Sequence, residues 1–72
     1  MAEFRFLGYL AEVAGGRAQE IELKEPKRLR EILPKPFPEE NVIILVDGNV
    51  STLDRLITNE NSVVVMPMIS GG

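Results

Sequence analysis

Apolar and polar positions alternate at the start of the chain and predict a strand over Glu3–Leu10, with Phe4 and Phe6 on one face and Arg5, Leu7 and Tyr9 on the other. Gly8 falls on the phenylalanine face, where a missing side chain points to a bulge or to close approach of another element. Gly15-Gly16 signals a turn, and from Gln19 to Lys24 the alternation returns. Ile21 and Leu23 point one way, Glu20, Glu22 and Lys24 toward water. Two such strands predict an antiparallel hairpin with a long connection.

A short helix follows. Pro26 suits a first helical position, and Leu29, Ile32 and Leu33 recur at helical spacing until Pro34 stops them. Pro34, Pro36 and Pro38 impose an extended connector that lacks the PxxP spacing of a recognition peptide. Val42 to Val46 is a continuous β-branched and leucine run, fitting a strand covered on much of both faces. Asp47-Gly48-Asn49 is a turn, and Val50 begins a short edge segment. Leu53 and Leu56-Ile57 predict one helical turn, Asn59 to Ser62 a second turn, and Val63 to Met66 the last strand.

The order β-β-α-β-(β)-β, with one helix to cover one face of a mixed sheet of four or five strands, defines a two-layer α+β domain. It is the order of the ubiquitin-like β-grasp fold, in which first and last strands lie side by side at the centre. The expected division is a domain over residues 1–66 and a flexible tail over 67–72. The expected core is Phe4, Phe6, Ile21, Leu23, Leu29, Ile32, Leu33, Val63 and Val65, with Ile44 or its neighbours. The opposite parity places Leu7, Val64, Met66 and Met68 in an uncovered apolar patch at the root of the tail, and such patches mark partner sites.

Composition removes most chemistry. The 72 residues contain no cysteine and no histidine, so thiolate metal sites and Ser-His or Cys-His catalysis are excluded within this chain. Net charge is −3 with the eight Lys and Arg dispersed, which argues against nucleic acid as a partner. No stretch reaches the roughly 20 apolar residues of a membrane span, and Met1 to Arg5 begin no secretory leader, so a cytoplasmic location is expected. Gly15-Gly16-Arg17 matches no phosphate-loop spacing. Glu20 with Glu22 and Glu39 with Glu40 read as solvated surface, and Asn49-Val50-Ser51 as a glycosylation pattern without a secretory route.

What remains is Gly71-Gly72. A terminal glycine presents a carboxylate that is ionised at neutral pH, with a pKa of roughly 3.3–3.7, and can attack an activated phosphate. Without a Cβ, both glycines can thread a slot too narrow for other residues. Ser70 has no base to activate it and keeps the tail slim. From Pro67 to Gly72 the extended chain spans about 20 Å, at roughly 3.3–3.6 Å per residue, enough to leave the body and enter another protein's cleft.

The stretch Phe6-Leu7-Gly8-Tyr9-Leu10-Ala11-Glu12-Val13-Ala14-Gly15-Gly16-Arg17 and the ending Val65-Met66-Pro67-Met68-Ile69-Ser70-Gly71-Gly72 resemble the MoaD-like proteins: the small subunit of molybdopterin synthase and the small archaeal modifier proteins. Carriers of the ThiS type share the ending but typically lack so long a first hairpin. The resemblance implies that an E1-like enzyme of the MoeB/ThiF type adenylates Gly72 with ATP and Mg²⁺. Sulfur then replaces AMP to give a thiocarboxylate, delivered inside the synthase large subunit in molybdenum cofactor biosynthesis. In modifier branches the activated glycine is joined instead to target-protein lysines. The chain would then be a co-substrate with no catalytic groups of its own. Two departures stand out: Met68 takes the place of a second proline before the tail, and the helix with its connector, Lys27 to Pro38, is short. A third possibility is an interaction module whose Gly-Gly is incidental.

Overall fold

The computed structural model describes residues 1–68. Ala2, Phe4 and Phe6 are buried and Glu3 and Arg5 exposed, so strict alternation carries the first strand, β1 (Ala2–Phe6). It pairs antiparallel with β2 (Ala18–Ile21), as the hairpin pattern predicts. The second strand ends at Ile21 rather than Lys24, and the Leu23 backbone pairs with the Asn59 side chain instead. On its other side β1 pairs in parallel with the last strand, β7 (Ser62–Pro67), with Phe4 opposite Val63 and Phe6 opposite Val65. Next to β7 lies β4 (Val42–Val46), antiparallel, and then β5 (Asn49–Ser51). The order β2-β1-β7-β4-β5 places the last strand in the middle of a mixed five-stranded sheet. That strand runs one residue past the expected boundary at Met66.

Three further segments differ from the sequence expectation. The first strand ends at Phe6 rather than Leu10, because Gly8 adopts φ +59° and turns the chain. Leu10–Ala14 then form a helix, α1, which buries Leu10 completely. Gly15, at φ +86°, closes it: the Gly16 amide donates to the Ala11 carbonyl and the Gly15 amide to Glu12. These are the two crossed bonds of a glycine-terminated helix end. The long hairpin connection is therefore a second helix.

The expected helix from Pro26 shrinks to α2 (Leu29–Ile32). Lys27–Arg28 instead form β3, paired antiparallel with β6 (Leu56–Ile57), so the predicted helical turn at Leu56-Ile57 is a strand. The cause lies in the backbone donors at the helix start. The Leu29 and Arg30 amides donate to the Arg55 and Leu53 carbonyls, each at 2.9 Å, which holds the 53–55 loop beside α2 and aligns the two ribbons. Alternation then buries Ile57 and exposes Leu56.

The two helices and the ribbon bury Leu10, Leu29 and Ile57 with the inward side chains of the sheet. The expected core holds, with Ile21 and Ile32 half-buried at its edge, and Ala2, Leu10, Val46 and Ile57 complete it. Phe6 stacks on Phe4 at 6.2 Å and meets Phe37 at 5.9 Å. Phe37 thus anchors the proline-rich connector. Asp47 and Gly48, at φ +51° and +84°, make the two-residue β4–β5 turn that Asp-Gly favours.

Asparagine amides replace missing ladder partners. Asn59 accepts from the Leu23 amide and donates to the Leu23 carbonyl, both at 2.7 Å. Asn61 donates to Asp47, whose carboxylate also accepts from the Ser62 amide at 2.9 Å. The Ser62 amide and then Asn61 hold the Asp47 carboxyl below its ordinary range, with a lesser pull from Arg55.

Two outcomes follow for stability. A core of this size supplies a net ~3–5 kcal/mol, and truncating a core phenylalanine costs about 3–5 kcal/mol, so Phe6→Ala is expected to be largely unfolded in a thermal melt. Asp47 has a folded pKa below its unfolded value of about 3.9, so its contribution is present above that pH and lost as pH falls through the folded value. Asn tolerates positive φ, so Asp47→Asn keeps the turn while removing the charge and one of the two oxygens that accept from the Ser62 amide and Asn61. Its Tm should lie below wild type at pH 7, with the gap narrowing once pH falls below about 3.9 and through the lower folded value.

Candidate functional site

The same alternation that buries Val63 and Val65 turns Val64 and Met66 to the opposite face of the sheet, where both are half-buried. Leu7, just past β1, and Met68, just past β7, are 44% and 52% exposed beside them. Val64 and Met66 thus lie on the outer face, and Leu7 and Met68 are exposed residues flanking the ends of β1 and β7 where β7 leaves the sheet. Register adds three more: Ile43 stands opposite Met66, Leu45 opposite Val64, and Val50 opposite Leu45. The run Val42–Val46 carried a signal for this, since one helix layer cannot cover both faces of a continuous apolar strand. Arg5, opposite Val64, borders the patch. Beyond it Glu3 and Glu20 face each other across the β1–β2 ladder.

The root of the tail is held on two sides. The Met68 amide donates to the Asn41 carbonyl at 2.8 Å, continuing the β4–β7 pairing one step past Pro67. On the other side a Cβ at Gly8 would stand 3.0 Å from Cγ of Pro67. Gly8 therefore admits the close approach its place in the sequence implied. Ser70, Gly71 and Gly72, the expected reacting tail, lie outside the described residues.

Elsewhere the polar groups serve structure. Arg30 bridges Asp54 at 2.9 Å and Glu39 at 3.1 Å, and the hydrogen bond to Asp54 is the main cause of its raised pKa. These exposed pairs tie the connector to α2 and contribute little energy. A depression of about 590 Å³ lies beside them, floored by Leu33, Phe37 and Leu53. Among the described residues no helix is long and apolar enough to cross a membrane.

A mixed sheet with parallel first and last strands at its centre, helices on one face and an apolar outer face defines a ubiquitin-like β-grasp protein. The chain belongs to the ThiS family, whose model matches residues 4–72. Similar folds occur in SAMP1 from Haloferax volcanii (TM-score 0.74, 17% identity, covering 99% of this chain and 98% of that one). The putative molybdopterin converting factor, subunit 1, from Pyrococcus furiosus gives TM-score 0.70 at 21% identity, with 94% and 97% covered. Urm1 of Sulfolobus solfataricus gives 0.62 at 15%, with 92% and 99% covered. Comparison with curated protein sequences gives no match.

The outer-face placement is checked by substitution. Leu7→Asp and Met68→Asp should each change stability by no more than about 0.5 kcal/mol, the range of surface substitutions. Val65→Asp, which buries an unpaired charge in the sheet centre, should unfold the domain. A Leu7→Asp protein that fails to melt cooperatively would move Leu7 into the core.

Proposed function

We propose that this chain is a sulfur carrier of the MoaD-like kind, acting as co-substrate of an E1-like adenylating enzyme in molybdenum cofactor biosynthesis. The observation that carries the reading is the apolar outer face converging on the root of a Gly-Gly tail in a ThiS-family chain. The face docks the body while the tail enters the partner's site. A Gly72 carboxylate oxygen attacks the α-phosphorus of ATP, held with Mg²⁺ by the partner, and pyrophosphate leaves. A sulfur nucleophile then attacks the acyl carbon, AMP departs with the carboxylate oxygen, and a thiocarboxylate remains. The thiocarboxylate is the sulfur donor in the large subunit of molybdopterin synthase. This chain's part is positional: Leu7, Val64, Met66 and Met68 bind, Ser70 and Gly71 pass the slot, and Gly72 supplies the reacting group.

A second reading is favoured by one specific observation, the similarity to SAMP1, a small archaeal modifier protein. In that case the same acyl adenylate leads to an isopeptide bond with a target-protein lysine.

Reconstitution with the cognate E1-like enzyme, ATP and a sulfur donor separates the readings by mass. A carrier becomes heavier by the difference between sulfur and oxygen; a modifier yields lysine conjugates ending in Gly72. Deleting Gly72, or Gly71→Phe, should leave Tm unchanged and abolish ATP–pyrophosphate exchange. Leu7→Asp should weaken enzyme binding about tenfold or more, equivalent to ~1.4 kcal/mol. Wild-type protein that gives neither product would leave the interaction-module reading standing.

A further inference from the structure

Around the place where β7 leaves the body, the apolar surface does not stop at the sheet. Gly8 lies against Pro67, and the residues on either side of Gly8, Leu7 and Tyr9, are both exposed, Tyr9 by 53%. The Val13 amide donates to the Tyr9 carbonyl, so Val13, 39% exposed, sits one helical turn along the same side of α1. Neither side chain contributes to the buried core. A large aromatic with a polar tip, held on a glycine-capped helix, loses little freedom when covered and is a favoured interface anchor.

We propose that Tyr9 and Val13, with Leu7, form a collar that seats the rim of the adenylating enzyme's channel. The inference rests on reading the tail as that enzyme's substrate. A channel narrow enough for Ser70-Gly71-Gly72 must bring its mouth down on the body around Pro67, because the Met68 amide, two positions before Ser70, is still bonded to the Asn41 carbonyl at the sheet. The turn touching Pro67 is therefore covered whenever the tail is fully inserted. The outer sheet face supplies one side of the seat, and the exposed side of α1 supplies a second. The matching surface on the enzyme is apolar, with a hydrogen-bonding group to meet the Tyr9 phenol.

The chain contains one tyrosine, which makes the test direct. Protein labelled with 3-fluorotyrosine has a single fluorine resonance, at the collar. Titrating the cognate enzyme with ATP and Mg²⁺ should move that resonance and saturate at one equivalent. In the exchange assay, Tyr9→Glu combined with Val13→Glu should raise KM for the carrier about tenfold, with kcat at saturation and Tm close to wild type. Leu56→Glu, at a residue just as exposed (54%) on β6, should leave KM unchanged and so controls for added charge. A resonance that stays put while the tail is adenylated would overturn the collar, as would equal KM values for the double variant and Leu56→Glu. If wild-type protein is not adenylated and its resonance does not move, the tail reading falls and takes the collar with it. Should the double variant not fold, the resonance on otherwise unaltered protein still decides.

Discussion

The parallel pairing of β1 with β7 is the constraint on which the rest of the molecule depends. A parallel pair cannot be closed by a tight turn; its strands must be joined by a long crossover. Here nearly the whole chain between them serves as that crossover. It contributes β2 and β4–β5 to the two flanks of the sheet and α1, α2 and the β3–β6 ribbon to its inner face. Once Phe4 faces Val63 and Phe6 faces Val65, the inner side becomes the core. Val64 and Met66 have no choice but the other side. The apolar outer face is thus the by-product of a central strand that is β-branched at every position from Val63 to Val65. Its retention in a small, acidic protein is what asks for a partner.

The parts of this fold legible in the sequence were those written in alternation and turn chemistry: Phe4-x-Phe6, Ile21-x-Leu23, Asp47-Gly48, and the last strand. Each is decided within a few residues. The misread parts depended on atoms distant in the chain. Leu10–Ala14 continued an apolar run and read as strand, although Gly8 and Gly15 bracket a helix that tertiary burial of Leu10 then secures. Lys27–Arg28 looked like the first turn of a helix because nothing local announces a ribbon partner at Leu56–Ile57, far along the chain. The connector read as spacer, whereas Phe37 closes the core over Phe6. Of the outer face, the outward parity of Val64 and Met66 was legible, but Ile43, Leu45 and Val50 became visible only with register, and Tyr9 changed from a strand residue to the edge of a helix.

Small size also explains how polar side chains are used. With ribbons only two residues long, backbone groups outnumber ladder partners, and an unpaired buried amide is expensive. Asn59 answers both backbone groups of Leu23, and Asp47 with Asn61 closes the gap between the β4–β5 turn and the start of β7. These contacts cluster at the end of the sheet opposite the tail root. One end is stitched by side-chain hydrogen bonds, and the other is held by the backbone bond from Met68 to Asn41 and the apolar contact of Gly8 with Pro67.

The central position of β7 has a mechanical consequence. Any force on the tail acts along this strand, which is flanked by β1 on one side and β4 on the other. Ladder bonds run across the strands, so such a pull loads both rows in shear, with many bonds sharing it at once. An edge strand would instead peel, bond by bond. A tail drawn into a narrow channel, or hauled by whatever it is attached to, is therefore rooted in the most tear-resistant line of the molecule. The body can be towed by its last residues without coming undone.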